Sequence, residues 1–184
     1  MGTLDSREYQ QLVRRKFRPY SRGHQMMYLK PITQLSGNRH RILEAGFGIG
    51  FGLDRMVTAG IIGDRYVGCE PNTDSFLYVQ SRHSRTPNIE LVPSGFLDMD
   101  VDGEFDHAFC IEVIEHVPMD QHLEFLTKLR DAAPMVWFST PDKDRVPREG
   151  VRTKDEWVDL LHSAGFSRVF VDTSHWTYLY ECER

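Results

Sequence analysis

The sequence predicts an α/β chain, a doubly wound and mostly parallel sheet of seven strands, on three observations. From Arg41 onward, short apolar runs alternate with amphipathic helical patterns, which is how parallel βαβ units read. The first run is followed by glycines at every second position from Gly46 to Gly52 and then by a helical pattern, so a strand, a bare loop and a helix follow one another. No repeat, low-complexity tract or linker interrupts the 184 residues, and their 40% hydrophobic content suits one domain with its own core. Residues 1–184 are therefore read as a single unit, with 1–40 an N-terminal helical lid and 41–184 the ligand-binding core.

Taken in order, SREYQQLVRRKF places Tyr9, Leu12, Val13 and Lys16 at helical spacing, and HQMMYLKPITQL predicts a second helix that kinks or restarts at Pro31. The predicted strands are RILEAGF, RYVGCE, IELVPS, FDHAFCIEV, MVWFST, SRVFVDT and TYLYECE. Gly60 suits a left-handed C-cap after LDRMVTA, and Asn72 an N-cap for TDSFLYVQSR, whose Phe76, Val79 and His83 share a face. FLDMDVDGE is short and acidic and reads as loop. A helix over 119–133 carries Leu123, Leu126 and Leu129 as its apolar stripe, with His122 as a helix-face residue. Thr153 and Glu156 form a capping box ahead of Trp157, Leu160, Leu161 and Ala164, and Gly165 ends that helix.

Composition excludes several classes. No apolar run approaches the ~18 residues of a membrane span, and Met1–Ser6 is polar, without a secretory leader's apolar region. Cys69, Cys110 and Cys182 are odd in number and scattered in apolar strands, which argues against a disulfide framework and for buried thiols in a reducing cytoplasm. The net charge of -5 conceals an asymmetry, since residues 1–41 hold nine Lys/Arg against Asp5 and Glu8. We read that segment as a solvated helix face packing on an acidic body, ahead of a nucleic-acid arm, because it lacks basic clusters interleaved with aromatics.

In an open parallel sheet, ligands sit beyond the carboxyl ends of the strands where the strand order reverses, and the glycine loop stands there. A dinucleotide needs GxGxxG, yet the third position falls on Phe51 from Gly46 and on Leu53 from Gly48. Glu44, two residues before the first glycine, would repel a pyrophosphate and suits a cationic ligand.

EAGFGIG resembles the first motif of class I S-adenosylmethionine-dependent methyltransferases, acid-x-Gly-x-Gly-x-Gly, on Glu44, Gly46, Gly48 and Gly50. The resemblance continues with Glu70 after the second strand and with FDHAFCIEVIEHV, and it extends over most of the chain from Arg41 to the C-terminus. It implies a Rossmann-like sheet with an antiparallel C-terminal strand and S-adenosyl-L-methionine as cofactor. Glu70 would then grip both ribose hydroxyls, a role that a two-oxygen anion fits, with Pro71 turning the chain away. Phe96 and Leu97 would contact adenine, with Asp98 accepting from its amino group, while Cys110 and Ile111 would line the methionine end.

The candidate catalytic residues are Glu112, Glu115 and His116, which a helix starting near Glu112 would gather on one face. EVIEH and STPD resemble the small-RNA terminal 2′-O-methyltransferases, but PDKDRVPREGVR lacks the further histidine of that group, so no metal is assigned and His116 is read as a general base or substrate hydrogen-bonder. Tyr20, Arg22 and His24 are lid candidates. The expected activity is methyl transfer to an oxygen or nitrogen of a small molecule. The alternatives are an RNA 2′-O-methyltransferase, disfavoured by a pI near 5.9, or a non-catalytic cofactor-binding subunit.

Overall fold

The computed structural model describes residues 22–101, 104–143, 146, 150–174 and 177–184, without the side chains of residues 22–24. The helix expected over residues 6–17, and Tyr20, lie outside the described residues. All seven expected strands form: β1 (His40–Ala45), β2 (Ile62–Cys69), β3 (Ile89–Val92), β4 (His107–Ile111), β5 (Met135–Thr140), β6 (Arg168–Asp172) and β7 (Tyr178–Glu183). They make one sheet in the order β3-β2-β1-β4-β5-β7-β6. The first five strands run parallel, whereas β7 is antiparallel to both β5 and β6. The order reverses between β1 and β4, so a crevice opens above their carboxyl ends.

Alternation along the strands assigns each face its own core. Ile42, Tyr66, Phe109, Trp137 and Leu179 pack with Met27, Tyr28, Leu53, Met56, Phe76 and Val79. The last six come from helices α1 (Arg22–Leu35), α2 (Phe51–Ala59) and α3 (Thr73–His83). On the other face Leu43, Ala45, Cys69, Cys110, Phe138 and Tyr180 pack with Phe125, Leu126, Leu129, Trp157 and Leu161 of α4 (His122–Ala132) and α5 (Lys154–Ser163). All three cysteines are buried and free.

Local signals place the helix ends. Gly60 adopts φ 68° and its amide closes α2 on Met56 and Val57, while Asn72 accepts from the Ser75 amide at 2.9 Å to start α3. Thr153 and Glu156 form the full capping box of α5. Two expectations are corrected. Of the kink or restart expected at Pro31, the restart does not occur, and helix α1 runs on through it. An interior proline costs about 3 kcal/mol, but Met27, Tyr28, Ile32 and Leu35 are all buried, and side chains of that size contribute about 1.5–3 kcal/mol each.

In α4 the buried stripe is His122, Phe125, Leu126 and Leu129, at i, i+3, i+4 and i+7, which leaves Leu123 on the flank and 44% exposed. His122 is fully buried, stacks on Trp157 at 5.3 Å and places Nε2 2.9 Å from the Val117 carbonyl. No helix among the described residues is long and apolar enough to cross a membrane.

Candidate active site

The crevice is framed by the segments that follow β1, β2 and β4. The loop after β1 is pinned to the end of β2, because the amides of Gly46 and Phe47 both donate to the Cys69 carbonyl, at 2.9 and 3.1 Å. Gly46, Gly48 and Gly50 all have positive φ (75°, 54° and 79°), which L side chains adopt at a cost. Two of them are also closely packed from behind: a Cβ at Gly46 would meet a Val113 methyl at 2.6 Å, and one at Gly50 would meet Val79 at 2.9 Å. The loop is thus bare for its own neighbours. It leads into α2, whose first turn has no side-chain cap, so its amides lack a side-chain acceptor.

Glu70 stands beside this loop, one residue beyond β2. Its Oε2 accepts from the Gly48 amide and its Oε1 from the Asn72 amide, each at 2.9 Å. Each carboxylate oxygen has a second acceptor position, so two amides orient the group without exhausting it. Burial, the largest influence, raises the Glu70 carboxyl above the ordinary glutamate value, and the two amides oppose that rise. Pro71 is exposed just beyond it, and Leu97 is partly exposed on the turn after β3.

Glu44 is corrected. It was read as an acid open to a cationic ligand, yet it is fully buried beneath the loop. Oε1 accepts from the Tyr28 hydroxyl at 2.7 Å and Oε2 from the Tyr66 hydroxyl at 2.5 Å. Strand alternation is the cause: Glu44 shares the face of Ile42, which α1 and α2 cover. Burial raises its carboxyl, and the two hydroxyls pull the other way.

Phe96 and Cys110 were expected on the ligand wall and are core side chains instead. Phe96 packs 4.9 Å from Phe125 and under the Lys128 ammonium, while Cys110 is fully enclosed with its thiol raised by burial. Ile111 is buried on the opposite face of the sheet. The reason is again orientation, since a strand or turn residue at the correct height above the sheet still points to one face only.

The acid–base cluster is reshaped as well. No α-helix starts at Glu112; that residue takes φ 57°, and Ile114–His116 form a single 3-10 turn. Glu112 is half-buried, its Oε1 accepting from the Ser139 hydroxyl at 2.9 Å and its amide donating to the Ser139 carbonyl at 3.0 Å. Glu115 is buried and His116 exposed, so the three do not share one face. Among the described residues no group of three His, Cys, Asp or Glu side chains is arranged to hold a metal ion. Sequence reasoning missed Tyr28 and Tyr66, which carry no motif, the one on a helix and the other on a strand; Val113 and Ser139 stand inside EVIEH and STPD and Val79 on the expected face of α3, but nothing in the spacing tells that they pack on the loop or hold Glu112.

A groove of about 680 Å³ lies away from these residues, between Met99–Val101 and the α4 face around Leu123 and Lys128. It contains none of the glycine-loop residues.

The profile of the methyltransferase-domain family matches residues 42–133. Similar solved structures include a magnesium protoporphyrin IX methyltransferase from Synechocystis PCC 6803 with bound SAM, at 16% identity and TM-score 0.73, covering 97% of this chain and 92% of that one. Another is 1,6-didemethyltoxoflavin-N1-methyltransferase from Burkholderia thailandensis, with bound 1,6-didemethyltoxoflavin and S-adenosylhomocysteine, at 16% identity and TM-score 0.72, covering 100% and 92%. The DhpI–SAM–HEP complex is similar at 19% identity and TM-score 0.72, covering 99% and 100%. These likenesses bear on the fold. No curated protein matches the sequence.

Proposed function

The chain belongs to the methyltransferase-domain family, and from that premise we propose that it moves a methyl group from S-adenosylmethionine to an oxygen or nitrogen of a small-molecule acceptor in the cytoplasm. The observation that carries this reading is the Glu70 carboxylate, oriented by the Gly48 and Asn72 amides with acceptor positions left for a vicinal diol. Gly46 to Gly50 give close backbone approach, and the uncapped start of α2 suits an amino acid's carboxylate.

The cofactor brings an activated methyl and leaves as a neutral sulfide, so the chain has only to bind, align and exclude water. Glu70 holds the ribose. Of the acid–base candidates, Glu112 adjoins Val113, whose methyls face Gly46; its carboxylate, steadied by Ser139, orients the acceptor. His116, exposed on its 3-10 turn, takes a proton when the acceptor must lose one. Leu97, partly exposed on the turn after β3, would line the adenine end. The small-molecule acceptor is supported by two fold neighbours, a magnesium protoporphyrin IX methyltransferase and a 1,6-didemethyltoxoflavin-N1-methyltransferase. The excess of acid, with pI near 5.9, works against phosphate tracking.

Calorimetry tests the cofactor assignment: S-adenosylmethionine or S-adenosylhomocysteine should bind and NAD should not, and tighter NAD binding would overturn it. Transfer of labelled methyl to a panel of small hydroxylated and amino compounds, with RNA ends as a competing arm, tests the acceptor class.

A further inference from the structure

We propose that Tyr28 is a positioning residue, its hydroxyl on the buried Glu44 carboxylate coupling the seating of helix α1 to the glycine loop and so to cofactor affinity. This rests on the reading of that loop as the S-adenosylmethionine site.

One side chain of α1 grips the loop at both ends. Before the loop, Tyr28 donates to Glu44 Oε1 at 2.7 Å, two residues ahead of Gly46. After it, the Tyr28 ring lies so close to Gly52 that a Cβ there would overlap the ring, and would stand 2.8 Å from Glu44 Oε1. The ring also meets Phe51, the first residue of α2, edge-on at 5.9 Å. Gly52 is therefore bare for the helix and not for the ligand, which is why the run of glycines extends beyond the resembled motif. Glu44 has no solvent contact, and a buried carboxylate is held by its donors. One donor belongs to β2, inside the sheet, and the other to α1. Helix α1 is thus a part of the loop's foundation. If its seating shapes the loop, linkage requires that cofactor binding seats α1 in return.

Tyr28→Phe keeps the ring and deletes the hydroxyl, while Tyr66→Phe deletes the other Glu44 bond without touching α1. S-adenosylhomocysteine binding is followed by calorimetry, and hydrogen exchange of residues 25–35 is followed with and without it. Wild type should gain protection in α1 on binding. Tyr28→Phe should bind about five- to tenfold more weakly and lose that gain, whereas Tyr66→Phe should weaken binding and keep it. Affinity within twofold of wild type in Tyr28→Phe, with only a lower Tm, overturns the proposal. If Tyr28→Phe fails to fold, Glu44→Gln replaces it under the same criteria. A wild type that binds neither S-adenosylmethionine nor its product sinks the functional reading, and the coupling with it.

Discussion

The ends of β1 and β4 are neighbours at the centre of the sheet, and both leave their strands through a left-handed residue, Gly46 at φ 75° and Glu112 at φ 57°. At β1 the sequence supplies the residue that conformation favours. At β4 it supplies a glutamate, which costs about 1–3 kcal/mol and is held by Ser139 through both its hydroxyl and its carbonyl. A backbone requirement met by glycine can be read one residue at a time, whereas one met by tertiary contacts is invisible until the chain is folded.

The sharpest test of this contrast is a pair of substitutions. Gly46→Val meets both the positive φ and the Val113 methyl at 2.6 Å; it should lose at least ~3 kcal/mol of stability and all detectable S-adenosylhomocysteine binding. Glu112→Gly exchanges strain relief for the lost Ser139 bond and should leave stability within ~1 kcal/mol, as thermal unfolding would record. Equal effects at the two positions would erase the distinction.

Next in size is Glu70. Replacement by Ala should weaken cofactor binding by about 1.5–3 kcal/mol, the range for a hydrogen bond to a charged group; unchanged calorimetry would remove it from the ribose role. Its folded carboxyl lies above the ordinary value because of burial. The folded state thus takes up a proton more readily than the unfolded one, and the stability this group contributes is lost as pH rises through the raised folded value. Glu70→Gln should accordingly stabilise the cofactor-free protein at neutral pH while binding the cofactor more weakly. In the wild type, cofactor affinity should fall as pH drops through the same raised value, and Glu70→Gln should show no such limb.

The seven strands, the Gly60 and Asn72 caps and the Thr153–Glu156 box were legible because alternation, left-handed caps and side-chain caps act within a few residues. The left-handed turns at Gly46, Gly48 and Gly50 were legible for the same reason. Glu44, Phe96 and Cys110 were misread because height above the sheet follows from sequence position, while the face depends on strand phase and on what covers it. The single helical face expected of Glu112, Glu115 and His116 does not form because a left-handed residue at 112 resets the phase of everything after it. That reset sharpens into a smaller prediction: buried Glu115→Gln should lower Tm, whereas exposed His116→Ala should leave stability within ~0.5 kcal/mol and act only on methyl transfer, lowering its rate and changing its pH profile. A fall in Tm at His116 matching that at Glu115 would restore the single-face reading.

The smallest effect is expected at the opposite ends of the same two strands. His40 opens β1 and His107 opens β4, their rings 4.7 Å apart and edge to face. Burial, reinforced by His40, depresses His107 to about 4 from the usual 6.5, with Asp106 opposing. Between those values the unfolded chain binds a proton that the folded chain refuses, so stability must fall as pH drops from about 6.5 to about 4. His107→Phe should flatten that limb of the Tm-against-pH curve and leave S-adenosylhomocysteine affinity untouched, because nothing at this end meets the crevice. A loss of affinity in His107→Phe would mean that strain at the amino ends of β1 and β4 reaches their carboxyl ends, and the sheet would then have to be treated as one coupled element and not as a rigid floor with a functional edge.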